Sequence, residues 1–501
     1  MSRHPARGSV NFIMITRSTI AAAAFRISPY VRHTPVMTIA GSDLGLRDPV
    51  VLKLELLQHA GSFKPRGAFN RLLTADWPEA GACAIFRRVW KYLAWAWVYG
   101  WLALGGAAGA MPLADLTPIL AAQPAPFGRL LATPETYRLQ ILIAEVVTNA
   151  AGQPDLRRFG YRVGAEYFYP ASSIKLGAAV TSLQTIEQLQ ADHHSGDLLA
   201  VPLTIAPLFP GDPAQTNDPS NLDGGQITLA QELRKLALIS DNDAFNRLFD
   251  LVGHEHLNEN LHALGLDSVV INHRLSESRA VPGGQASAAV TFFPSGEAPI
   301  VVPERHSSLN FTNRAARLQV GRGFMNDGKL VNGPKDFTHG NGISLADLQS
   351  LLVKLARPDI DLGTPALQLA PEHRAWLLRA MTEYPRESTN PVYAVTEYPD
   401  DYCKFLLPGI RRVFPATAPG ERIQITAKIG QAYGFSIENS YVYNPANGRA
   451  VFVTAVIYTN TREILNTDQY EYDTVAAPFY ADLGELVARR WLAGGEHSFE
   501  Q

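Results

Sequence analysis

Ser172 and Lys175 stand three residues apart in the run Tyr169-Pro170-Ala171-Ser172-Ser173-Ile174-Lys175. Residues at i and i+3 share one face of a helix, and this run reads as a first helical turn. An amine beside a serine hydroxyl can take its proton and leave a nucleophilic oxygen. Ser240, Asp241 and Asn242 begin 68 residues after Ser172, at the junction of two helical patterns. A serine there can relay a proton to a leaving nitrogen, and an asparagine amide can orient both the lysine and a substrate carbonyl. Lys428, Ile429 and Gly430 end a strand pattern. The lysine can bind a substrate carboxylate, and the glycine lets substrate approach the strand backbone closely. Each motif alone has a plainer reading. Ser172 can be an N-cap, residues 240–242 can be turn chemistry, and Lys428-Ile429-Gly430 by itself says almost nothing. Taken in order, they describe an acyl-transfer site.

The elements needed to position these residues are legible around them. The stretch 139–147 is rich in β-branched residues and reads as a strand, with a turn at 152–155 and a second strand over 160–168. A helix begins at Ser172 and carries Ile174, Leu176, Val180, Leu183 and Ile186 toward a core. Thr228, with Gln231 three residues on, has the form of a capping box. Further helices read over 243–251 and over 255–264, the latter closed by Gly265. Ser344 caps a helix that stops before Pro358, and Pro371 opens another. Three strands follow over 423–428, 434–443 and 450–459, the last two joined through Asn447-Gly448. An amphipathic helix over 474–491 closes the pattern. Strands come from both ends and helices from the middle. An α+β fold follows: a five-stranded antiparallel sheet flanked by helices, beside an all-helical subdomain, with a cleft between them.

These motifs resemble those of serine β-lactamases and penicillin-binding enzymes, most of all the class A β-lactamases. The resemblance runs over residues 113–493. It implies Ser172 as nucleophile, Lys175 as its base or proton carrier and Ser240 as proton shuttle. It implies Asn242, Lys428, Gly430 and Gln431 in substrate binding, with backbone N–H groups of Ser172 and Gln431 forming an oxyanion hole. Glu277 stands where the family carries a water-activating glutamate, without the Leu-Asn that usually follows it; it can equally be a loop carboxylate paired with Arg274 or Arg279. Ile429 replaces the family's usual hydroxyl residue. The expected activity is hydrolysis of a β-lactam through an acyl-enzyme. The alternatives are a penicillin-binding peptidase or esterase with slow deacylation, and a non-catalytic envelope binding protein.

The rest of the chain sets the context. It has 501 residues, a formal net charge of −3 and 18% charged residues, which gives no reason to expect nucleic acid as a partner. A small acyl substrate is the expected partner, and no metal or cofactor is called for by the β-lactamase-like part. Cys83 and Cys403 are its two cysteines, and no Cys/His spacing resembles a zinc site. Residues 92–111 carry no charge, follow Arg87, Arg88 and Lys91, and end in Ala108-Gly109-Ala110. This is the order of an export signal, implying a periplasmic or secreted protein, with membrane association through 92–111 if the segment is retained. Before it, residues 17–75 resemble the N-terminal end of pyridoxal-phosphate serine/threonine dehydratases, through Ser28-Pro29-Tyr30 and Gly61-Ser62-Phe63-Lys64-Pro65-Arg66-Gly67. By that resemblance Lys64 corresponds to the Schiff-base lysine. Neither of the glycine loops that complete the cofactor pocket follows, so residues 1–86 read as an orphan fragment with a vestigial Lys64. A start near Val89 would put the signal-like run at the N-terminus. The expected organisation is 1–86, 87–111 and a hydrolase domain over 112–497, with an enlarged loop over 280–341.

Overall fold

The structure, a computed structural model, describes residues 113–209, 211–277, 285–415 and 422–494, with one strand pair and a few single residues before them. The chain divides into two compact units, Met1–Gly109 and Ala110–Gln501. The described part of the first is an antiparallel pair, Val36–Ile39 with Val50–Lys53. Lys64, Cys83 and the run 92–111 lie outside the described residues.

In the second unit β1 (Gln140–Thr148) and β2 (Pro154–Tyr161) form a hairpin. The second strand starts six residues earlier than the sequence pattern suggested, with Pro154 already opposite Thr148. The reason is Asn149, whose Oδ1 accepts from the N–H groups of Ala151 and Gln153 at 2.9 and 3.0 Å and closes the turn early. From the far end of the chain come β3 (Gln424–Ala427), β4 (Gly430–Ala432), β5 (Phe435–Tyr443) and β6 (Ala450–Tyr458). The order across the sheet is β3, β5, β6, β1, β2, and β4 also pairs with β5. The five expected antiparallel strands are present. The short β4 and a two-residue parallel edge, Ala114–Asp115 on β2, bring the sheet to seven strands.

The central strands are buried on both faces, which is why they read as continuous apolar runs rather than alternating ones. Ile141 and Ile143 face one core with Val451, Val453, Phe479 and Trp491. Leu142 and Ala144 face the other with Phe452, Val456 and the helical subdomain. The first core is covered by α7 (Leu407–Val413) and α8 (Ala477–Val487). The second holds α1 (Lys175–His193), α2 (Leu229–Leu238), α3 (Asn242–Val252), α4 (His254–Ala263), α5 (Leu345–Ala356) and α6 (Pro371–Thr382). The first half of α1, residues 175–183, is buried on every side. A methyl at Gly177 would come within 2.8 Å of Leu261 Cδ1, so α1 and α4 touch there.

The segment expected as an enlarged loop is built, in its described part, of short strand pairs. Val290–Phe292 sits between Leu203–Ile205 and Ile300–Val302, and Gly323–Asn326 between Lys329–Asn332 and Ile464–Leu465. Arg138 fastens this segment to the main sheet. Its guanidinium, buried at the head of β1, donates to the carbonyls of Tyr167, Arg317 and Gln319 at 3.0 to 3.2 Å.

Candidate active site

Ser172 lies in a single 3₁₀ turn, Ala171–Ile174, that leads directly into α1. Ala171 before it has φ +49°, a left-handed conformation that is costly for a residue with a side chain. Strain of this kind persists only where surrounding packing enforces it, and it clusters at functional sites. Here the packing comes from β4. A methyl on Gly430 would lie 2.6 Å from the Pro170 carbonyl oxygen and 2.9 Å from the Ser172 nitrogen. The glycine that was expected to admit substrate therefore admits the serine turn itself. Lys428 N–H donates to the Asn439 carbonyl at 2.9 Å. Lys428, Gly430 and Ala432 thus hold the hydrogen-bonded pairs with β5, and the N–H of Gln431 turns away from it.

One turn on from Ser172, Lys175 is fully buried. Its Nζ donates to Asn242 Oδ1 at 2.7 Å, to the Asp241 carbonyl at 3.0 Å and to the Ser240 carbonyl. Burial, reinforced by the nearby Lys428 charge, pushes this amine well below an ordinary lysine. Ser240 has φ +61°, and that left-handed turn aims its carbonyl at Lys175. Asp241 N-caps α3, its side chain accepting from Ala244 N–H at 2.8 Å. Asn242 is thereby held at the first helical position, where its amide reaches Lys175 on one side and Ser276 Oγ, at 2.8 Å, on the other.

Lys428 is also fully buried, and its Nζ donates to Ser240 Oγ at 2.8 Å and to its own neighbour's carbonyl, that of Ile429, at 3.1 Å. Burial pushes its amine down to about 8. The structure thus brings Ser172, Lys175, Ser240, Asn242, Lys428, Gly430 and Gln431 together. Ser172, Asn242 and Gln431 line an open cleft of about 380 Å³, while Lys428 acts from beneath, on Ser240. Glu277 is not among the lining residues; its neighbour Ser276 is. Arg274, which the sequence offered as a partner for Glu277, is paired with Asp250 and stacked over Phe249 at 4.7 Å.

Several lining residues had no sequence signal of their own. Ser276 comes from the loop after α4, and Tyr470 and Tyr472 from the segment after β6. Tyr433 and Gly434, at φ +56° and +90°, make the two-residue turn between β4 and β5. A Tyr-Gly pair between strands is a weaker form of the Asn-Gly hairpin signal, and reading it would have put Tyr433 at the cleft. A larger cavity, about 1130 Å³, is lined by residues of α6, α7 and β3, but none of the three motifs reaches it. The motifs therefore converge on the smaller cleft. Among the described residues no helix is long and apolar enough to cross a membrane.

The chain is 40% identical over 62 residues to serine racemase from Oryza sativa, a stretch that is 12% of this chain and 18% of that protein. The chain thus spans about a fifth of the length of the curated relatives it matches. Solved structures overlaid on it include PBP-A, 16% identical over 76% of this chain and 98% of that one, with a TM-score of 0.41. A β-lactamase from Desulfarculus baarsii is 15% identical over 74% of this chain and 97% of its own, TM-score 0.40. A class A β-lactamase from Bacteroides cellulosilyticus is 14% identical over 74% and 96%, TM-score 0.40. Residues 155–295, which hold the Ser172 turn, the Ser240 junction and Ser276, match the model of the beta-lactamase enzyme family, and it is this family that the second unit of the chain resembles.

Proposed function

We propose that this unit is a serine hydrolase that forms an acyl-enzyme through Ser172, with β-lactams as its substrates. The observation that carries the reading is the convergence on Lys175: one buried amine, held by Ser240, Asp241 and Asn242, a helical turn from a half-buried serine that lines a cleft. Three acceptors surround Nζ, matching the three donors of an ammonium. When the amine is neutral it has two donors, so one bond is given up and a lone pair becomes available to Ser172. Burial favours that neutral form. Lys175 then takes the Ser172 proton as the oxygen attacks the substrate carbonyl. The oxyanion that develops would lie between the outward N–H of Gln431 and that of Ser172. One such donor is worth about 3 kcal/mol of barrier. Ser240, whose Oγ already accepts from Lys428, is free to donate its own proton to the departing nitrogen.

A specific observation favours a long-lived acyl-enzyme, as in a penicillin-binding peptidase or esterase. The group beside Asn242 in the cleft is the hydroxyl of Ser276 rather than a carboxylate. A hydroxyl activates water far less well than a carboxylate does. Export to the periplasm or beyond is the corresponding proposal for location, supported by the sequence of residues 87–111.

The test is intact-mass spectrometry of the purified full chain with a penicillin and a chromogenic cephalosporin. A covalent adduct is expected on the wild type and absent from Ser172→Ala, and its lifetime separates hydrolysis from slow release. Failure of every β-lactam to form an adduct would overturn the reading.

A further inference from the structure

Tyr169, Tyr433, Tyr470 and Tyr472 stand around the cleft that holds Ser172, and among the described residues the one charged side chain lining it is the carboxylate of Asp468. Asp468 is exposed, at φ +55°, with no hydrogen-bond or ion-pair partner among the described residues. The two tyrosines that follow it are held firmly. Tyr472 hydroxyl accepts from Gly434 N–H at 2.9 Å, Tyr470 hydroxyl accepts from Thr467 N–H at 3.3 Å, and their ring centroids are 5.3 Å apart. Between them Glu471 takes the N–H of Thr461 at 3.1 Å and fixes the segment. Among the described residues no lysine or arginine lines the cleft. Lys335 sits over the rings of Phe324, Phe337 and Tyr433, at 4.8, 5.9 and 5.8 Å, outside the lining, and Arg462 donates to Gln469.

Aromatic faces carry negative charge density and attract cations. A carboxylate without a partner adds a full charge of the same sign. An anionic group on the acyl side chain would meet Asp468 and the tyrosine rings around it. We infer that the cleft selects acyl donors whose side chain carries a cationic amine or ammonium group, bound by Asp468 against Tyr470 and Tyr472. This rests on Ser172 being the acylated residue.

The experiment compares two penicillins matched except that one bears an α-amino group on its phenylacetyl side chain. Below neutral pH, the full chain should acylate with the aminated compound about fivefold faster, in second-order rate constant, than with the neutral one. Asp468→Asn should erase that preference and leave the neutral compound within about twofold. High salt should shrink the preference in the wild type alone. Equal rates in the wild type, or a preference that survives Asp468→Asn, would overturn the proposal. If neither compound acylates, it is the nucleophile that fails, and a second arm still decides the subsite. A phenylalkyl-trimethylammonium probe, followed by tyrosine fluorescence, should bind Ser172→Ala, and about fivefold more weakly when Asp468→Asn is added. Binding that does not change with Asp468→Asn, or no binding at all, would count against the subsite.

Discussion

Lys175 is the residue whose chemistry depends most on its neighbours. Burial is the largest cause of its lowered basicity and the charge of Lys428 the next. Acylation that needs the neutral amine should therefore rise with pH and level off well before the range of an ordinary lysine, about 10.4. Removing the Lys428 charge raises the proton affinity of Lys175, so Lys428→Met should move that limb to higher pH. The pH profile of the acylation rate for the two proteins checks this, and an unmoved limb would mean that another group titrates there. The Ser172–Lys175 pair was legible from spacing alone, because i and i+3 belong to one turn. Ser276 was not. Its role comes from a hydrogen bond to Asn242, which lies 34 residues before it in the chain, and no local pattern marks such a partner.

At the scale of elements, the contact that builds the site is β4 lying against the Ser172 turn. Backbone atoms, which cannot rotate aside, crowd the position a Gly430 methyl would take, the nearest at 2.6 Å. Gly430→Ala should therefore push strand or turn away, lowering stability by about 1–3 kcal/mol. The acylation rate should fall by roughly tenfold or more, since misplacement of about 1 Å is costly to catalysis. Urea denaturation and adduct formation measure the two effects, and a variant with normal values of both would contradict this packing. Most of the elements could be read in advance because their caps are local. Thr228 and Ser344 each accept from a backbone N–H three residues on, at 3.2 and 3.1 Å. The helix start at Asn242, the early start of β2 and the separation of β4 from β3 were less legible. Each depends on a turn whose geometry is completed by strand pairing.

At the scale of the whole molecule, the cleft that holds Ser172 rests on a buried layer of titratable groups. Glu438, Lys404 and Lys428 are almost wholly excluded from water. Burial raises the Glu438 carboxyl to about 8 and lowers the amines of Lys404 and Lys428 to about 8. Between the unfolded glutamate value, about 4.3, and 8, the folded carboxyl keeps a proton that the unfolded chain has released, so stability falls as pH rises. Between 8 and the unfolded lysine value, about 10.4, the unfolded chain holds protons that the folded lysines have released, so stability rises again. Urea midpoints should pass through a minimum near pH 8, and Glu438→Gln should flatten the acid limb; a wild-type curve without the dip would refute the assignment. The types of the side chains proposed to do the chemistry, and most of the turns that carry them, were determined by the sequence alone, because spacing and capping act over a few residues. The meeting of those turns was decided only in three dimensions. Sheet register sets Gly430 under Ser172, the fold turns Lys428 toward Ser240 rather than into the open cleft, and packing of the segment after β6 brings Asp468, Tyr470 and Tyr472 to the rim. These contacts join residues up to about three hundred positions apart, and their energy exists only once both cores have formed.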